Sequence, residues 1–133
     1  MKYFITIVVF AVVGLIGLIA FSDSTPATNA NQQTKTSIQS IKSDIETGAK
    51  LVDVRTPEEY AAGHIDGSIN LPLQDIQAGS VNNLPKDKNI YVYCRSGSRS
   101  AQASAKLKAE GFSNITDLGA MSEVQSLGGK IIK

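Results

Sequence analysis

Cys94 is the only cysteine in a chain of 133 residues, and Arg95-Ser96-Gly97-Ser98-Arg99 follows it directly. Two arginines, two serines and a glycine are poor material for a core. They suit a polar loop that curls around the sulfur, with Gly97 giving the backbone freedom for successive N–H groups to turn inward. Ahead of the cysteine, Ile90-Tyr91-Val92-Tyr93 reads as a short buried strand. Behind it, Ser98 to Glu110 reads as an alanine-rich helix, with Lys106 and Lys108 late and Gly111 placed to cap its C-terminus. Cys94 then sits at the carboxyl end of a strand and faces a helix N-terminus, whose free N–H groups and positive dipole end favour an anion. Arg95 and Arg99 add fixed positive charge. All these effects favour the thiolate, which is the reactive form. The bland reading of a lone cysteine is a small buried hydrophobe. The composition of the loop weighs against it and points to nucleophilic chemistry on an anion-cradled sulfur.

The segment CRSGSRS, Cys94 to Ser100, resembles the active-site loop of single-domain rhodaneses, a family of sulfurtransferases. LVDVRTPEEYAAGHIDGSINLPL, Leu51 to Leu73, is similar to the same family's strand–helix–strand segment. The two motifs span about Leu51 to Gly119, most of the chain beyond its apolar start. The resemblance implies that Cys94 carries sulfur as a persulfide, with Arg95, Ser96, Gly97, Ser98 and Arg99 binding the substrate. The donor is then a small thiosulfate-like molecule, and the acceptor is a thiol, cyanide or a protein. No cofactor is implied. This chain departs from the family pattern in two places. Asp66 stands where the pattern usually has proline, which touches the stiffness of a loop. The tryptophan-bearing helix common after the last strand has no counterpart, since the chain has no tryptophan, and the packing of the last helix is left open.

Other readings use the same physics. Cysteine phosphatases and arsenate reductases also hold a thiolate in an N–H cradle, with an arginine clamped on a tetrahedral oxyanion. Their usual loop places that arginine where this chain has Ser100, and Arg99 comes one position earlier. The smaller ring suits a transferable sulfur better than a phosphoryl group. A third reading keeps the fold without turnover, as an anchored sulfur-carrier or protein-binding module.

The remaining elements must position this loop. Ser37 can cap a helix through Ile38, Ile41 and Ile45 to Glu46, whose isoleucines share one face. Leu51 to Val54 reads as a buried strand. Thr56-Pro57-Glu58-Glu59 is a helix start with a capping-box spacing, and the helix ends at Gly63. His64 to Ser68 reads as a turn, Ile69 to Leu71 as a strand and Leu73 to Ala78 as a short helix, before a polar connector, Gly79 to Asn89. Phe112 to Asp117 reads as a further strand. The tail from Met121 reads as a short helix, a Gly128-Gly129 turn and a strand-like Ile131-Ile132. Short apolar strands alternating with helices give an α/β fold with a mostly parallel central sheet flanked by helices. A ligand then binds beyond the carboxyl ends of the strands, where Cys94 falls. Asp53, Arg55 and His64 are read as structural support: an ion pair or strand-end hydrogen bonds for the first two, backbone ordering in a Gly-rich turn for the third.

A net charge of +1 leaves no broad nucleic-acid footprint. One cysteine excludes an intramolecular disulfide and a cysteine-cluster metal site, and one histidine has no metal-ligand spacing around it. Tyr3 to Phe21 is almost wholly apolar and, as a helix, reaches about 28 Å, close to the hydrocarbon thickness of a bilayer. Residues 1–21 are therefore a membrane anchor or a signal segment, and the length favours an uncleaved anchor. Lys2 before the run and Asp23 behind it place the rest of the chain outside the cytoplasm. Residues 22–36 lack any large apolar side chain and read as a flexible linker, leaving 37–133 as the rhodanese-like domain.

Overall fold

The computed structural model describes residues 36–133. The apolar run Tyr3 to Phe21 and nearly all of the linker lie outside the described residues. Among the described residues, no helix is long and apolar enough to cross a membrane.

Ser37 closes a capping box with Ser40 and starts helix α1, Ile38–Glu46, which buries Ile38 and Ile41. Strand β1, Lys50–Asp53, leads to α2, Pro57–Ala62. Short strands β2, His64–Ile65, and β3, Ser68–Asn70, precede α3, Leu73–Gln77. Strand β4, Ile90–Cys94, runs into α4, Ser98–Ala109. Strand β5, Ile115–Ala120, then α5, Met121–Ser126, and β6, Ile131–Ile132, complete the chain. Four strands form a wholly parallel sheet in the order β3-β1-β4-β5. The fold is α/β, with helices on both faces of that sheet.

β4 is buried along its whole length, as expected of an inner strand with helices on both faces. Its side chains alternate between two cores. Ile90, Val92 and Cys94 pack with Ile76, Ala103 and Leu107 of α3 and α4. Tyr91 and Tyr93 pack with Ile38, Ile41 and Val124 of α1 and α5. The period-two rule thus aims Cys94 at the α4 side. Without a tryptophan, α5 is held by fully buried Val124 and by Ile38 N–H, which donates to Leu127 O at 3.1 Å.

Three local expectations shift. His64 and Ile65 are not a turn but pair antiparallel with Ile132 and Ile131, a contact between residues far apart in sequence. Phe112 does not open β5. It follows Gly111, which ends α4 at φ 90°, and its N–H returns to Leu107 O at 3.1 Å while Gly111 N–H bonds Lys108 O at 3.1 Å. That pair of bonds is a Schellman cap, and Phe112 supplies its apolar contact. β5 instead runs on to Ala120, because a register shift at Val92/Tyr93 brings Gly119 opposite Tyr93 and Ala120 opposite Cys94. Asp66, at the position that usually holds proline, bonds Lys42 at 2.9 Å and donates its N–H to Lys130 O at 2.8 Å.

The exit of β1 is fixed by an ion pair. Asp53 is 0% exposed and Arg55 5%. Arg55 Nε donates to both Asp53 carboxylate oxygens at 3.0 Å, and one terminal nitrogen reaches Oδ2 at 2.6 Å and Gly63 O at 2.7 Å. Asn70 Nδ2 donates to the carbonyls of both residues at 3.0 Å. His64 stacks on Tyr60 with centroids 3.7 Å apart, and its Nδ1 lies 2.9 Å from Tyr60 O. A carbonyl only accepts, so Nδ1 carries the proton. These residues therefore tie α2 and β2 to the end of β1. Arg55→Met leaves the buried Asp53 carboxylate unpaired and should cost about 3–5 kcal/mol of unfolding free energy. Urea denaturation of the folded domain measures this, and a loss well under 1 kcal/mol would remove the pair from its structural role.

Candidate active site

Cys94 ends β4, and Gly97 is the N-cap of α4 with φ 97° and ψ −22°. This left-handed conformation strains any residue with a Cβ. Space is not the constraint, since an added Cβ would come no nearer than 3.7 Å to Gly119 Cα. The turn brings Gly97 N–H onto Cys94 Sγ at 2.9 Å. No side chain caps the helix start, so its first N–H groups are free for an anion.

Burial pushes the Cys94 thiol up, but the combined opposing effects are larger. The N–H groups of Ser100 and Gly97, the Ser100 hydroxyl and the Ser96 N–H hold the thiol below its ordinary range. Ser100 is fully buried. Its Oγ donates to Gly97 O at 2.9 Å and lies 3.4 Å from Gly119 O. One hydroxyl proton thus serves two carbonyls or the sulfur, linking the loop to the end of β5. Cys94 itself is 0% exposed, and the exposed loop residues Arg95, Ser96 and Ser98 lie on the solvent side.

The two loop arginines differ. Arg95 is exposed. Arg99 is half-buried and forked onto Glu59, with nitrogen–oxygen distances of 2.6 and 2.9 Å. Glu59 also accepts Thr56 N–H at 3.1 Å while Thr56 Oγ1 accepts Glu59 N–H at 3.3 Å, the capping box of α2. Hydrogen bonding to Arg99 is the main reason that the Glu59 carboxyl drops from 4.5 to about 2. Its contribution to stability is therefore complete above pH 4.5 and is lost as pH falls towards about 2. The Cys94–Ser100 loop expected from sequence is thus one constellation, with Asp53, Arg55 and His64 set behind it at the exit of β1. The sequence reading put helix N-terminal N–H groups and two arginines around the sulfur; the N–H groups of Ser100, Gly97 and Ser96 act on it as expected, joined by the Ser100 hydroxyl rather than by Arg95 or Arg99. Ser100 and Glu59 were missed. Ser100 has the spacing of a residue one helical turn past Gly97, but Glu59 pairs with a partner 40 positions away and left no local signal.

A cleft of about 580 Å³ opens beside the loop, between Thr56, Pro57, Leu73, Arg99 and Gln102. Among the described residues, no group of three or more histidine, cysteine or carboxylate side chains could hold a metal ion.

A family model described as Rhodanese-like domain matches residues 37–126. The chain belongs to the rhodanese-like family. It is 43% identical over 68 residues to an Allochromatium vinosum protein named "Sulfurtransferase", a match covering 51% of this chain and 63% of that one. It is 32% identical over 74 residues to Escherichia coli "Thiosulfate sulfurtransferase PspE", covering 55% and 71%. The chain therefore spans about two thirds of the length of these two relatives. Among solved structures it is similar to an E. coli rhodanese with anions, with TM-score 0.57 and 28% identity over 64% of this chain and 98% of that one. It is also similar to the Alr3790 protein from Anabaena sp, with TM-score 0.61 and 29% identity over 73% and 79%.

The thiol should titrate lower in the folded domain than in the same domain unfolded in urea. A depressed folded value means that this group stabilises the fold above the unfolded pKa and stops doing so as pH falls through the folded one. Ser100→Ala removes one donor and should move the folded midpoint upward. Alkylation of Cys94 by iodoacetamide across pH measures both midpoints, and equal folded and unfolded values would remove the cradle from the account.

Proposed function

We propose that the domain is a sulfurtransferase that carries sulfane sulfur on Cys94. The observation that carries this reading is the buried Cys94 sulfur, bonded by Gly97 N–H at 2.9 Å and held below the ordinary thiol range. Family membership and relatives named as sulfurtransferases support a sulfurtransferase-like enzyme with a sulfur donor and acceptor.

In the first half, the loop shifts to admit thiosulfate, and the Cys94 thiolate attacks its outer sulfur. A new S–S bond forms, the old one breaks, and sulfite leaves with the electron pair. Arg95, exposed at the mouth, attracts the anionic donor. The N–H groups of Ser96, Gly97 and Ser100 stabilise negative charge on the reacting sulfurs, and Ser98 starts the helix that presents them. In the second half, a thiol, cyanide or protein acceptor attacks the terminal sulfur, and the Cys94 thiolate leaves. The cradle lowers the proton affinity of the Cys94 thiol and so favours the thiolate that attacks. Asp53, Arg55 and His64 act only by holding the frame.

Incubation with thiosulfate should add one sulfur atom to the domain, seen by mass spectrometry, and cyanide should remove it. Cys94→Ser should abolish both steps. Transfer by Cys94→Ser as fast as by wild type would end this reading. A stable persulfide that no small acceptor discharges would support the carrier module instead. Hydrolysis of an aryl phosphate faster than sulfur transfer would support a phosphatase.

We also propose that Tyr3 to Phe21 places the domain on the extracytoplasmic side of a membrane. This rests on the length of the apolar run and on Lys2 and Asp23 around it. A C-terminal reporter active only outside the cytoplasm should be active on the full chain. A cytoplasmic signal would overturn the orientation, and a soluble outer form lacking the run would make it a cleaved signal.

A further inference from the structure

Arg99 is the second residue of α4, the helix whose N-cap holds the sulfur. A free guanidinium there would offer a planar fork to any tetrahedral oxyanion at the loop, the arrangement that binds phosphate and sulfate bidentately. It is not free. Both terminal nitrogens go to the two Glu59 oxygens at 2.6 and 2.9 Å. Glu59 is fixed in turn by its place in the α2 capping box. The pair is partly open to solvent, with side-chain exposures of 31% and 28%, and Arg99 lines the cleft beside the loop. An oxyanion that approached Arg99 would therefore meet the Glu59 carboxylate as well.

We propose that Glu59 is a specificity-determining residue that withholds the Arg99 guanidinium from oxyanions, leaving their recognition to the backbone N–H groups and Arg95. The Glu59 carboxyl, at about 2, is ionised at any pH well above that value, so protonation of Glu59 does not release Arg99 there. The consequence concerns the leaving group. Sulfite departs carrying the negative charge it took from the thiolate. A second free arginine would hold it, and sulfate and phosphate in the surroundings would occupy the loop. With Arg99 held by Glu59, the cradle still lowers the proton affinity of the sulfur and is weak enough to release the product. Only the identity of the leaving group rests on the sulfur-transfer reading; the withheld charge does not.

The experiment compares wild type, Glu59→Gln and the double variant Glu59→Gln with Arg99→Gln. Glutamine serves in the third helical position of a capping box as glutamate does, so α2 keeps its start. Cys94 is alkylated with neutral iodoacetamide at low ionic strength, and inorganic sulfate is titrated in as a protecting anion. Glu59→Gln should lower the half-protecting sulfate concentration about tenfold, as expected for one partly desolvated charge set free near the anion. The double variant should return to the wild-type value, since it lacks the same charge that the wild type withholds. Sulfite inhibition of thiosulfate turnover should follow the same order. Equal protection in wild type and Glu59→Gln would overturn the proposal, as would a gain that survives in the double variant. Should Glu59→Gln fail to fold, weaker protection in the double variant than in wild type would overturn it too, because Arg99 would then be binding the anion. An absence of thiosulfate turnover in wild type would count against sulfur transfer, while the alkylation assay would still decide the role of Glu59.

Discussion

A negative sulfur inside a protein persists only where fixed dipoles replace the water it has lost. Around Cys94 such dipoles are backbone N–H groups at the start of α4, which hold the thiol below its ordinary range, with Gly97 N–H at 2.9 Å from Sγ. Much of the domain follows from that requirement. β4 must end at Cys94, on the side that faces α4. The chain must reverse within three residues, which demands the left-handed Gly97. The helix must also begin without a side-chain cap. A serine or aspartate at the N-cap would bond the N–H groups that the sulfur uses, and Gly97 has no side chain with which to compete.

Two ion pairs hold the frame, and they differ in kind. Asp53 and Arg55 are two residues apart and fully enclosed, so their charges count only as a matched set. They fix where β1 releases the chain. Glu59 and Arg99 are far apart in sequence and half open, so their mutual attraction is screened and modest. Their importance is positional: one carboxylate ties the first turn of α2 to the first turn of α4.

The layered α/β fold was legible because its signals are local. The apolar run of β4, the capping box at Thr56 and the glycine after α4 each reside in a few neighbouring residues, and all three elements form. The thiolate environment was legible for the same reason, since strand, glycine and helix are contiguous around Cys94. What was not legible is long-range. The pairing of His64 and Ile65 with Ile132 and Ile131 depends on the tail folding back. The extension of β5 to Ala120 depends on a register shift that its sequence does not mark. The partner of Arg99 was hidden because Glu59 already had a complete local explanation as a capping residue. A cation in a loop invites the reading that it is free, and only a three-dimensional neighbour can contradict that.

The donors that lower the Cys94 thiol belong mainly to the main chain, which every residue type except proline carries alike. Substitutions of the exposed Arg95, Ser96 and Ser98 therefore leave most of the sulfur's surroundings in place. Such a site can drift. Its rim is free to change charge and shape, and so to change which molecules come near, while the sulfur beneath keeps its main-chain surroundings. The few positions that resist drift are those where the backbone itself is at stake: the sulfur, the left-handed glycine and the buried Ser100. New partners can be acquired on such a scaffold without first rebuilding its chemistry.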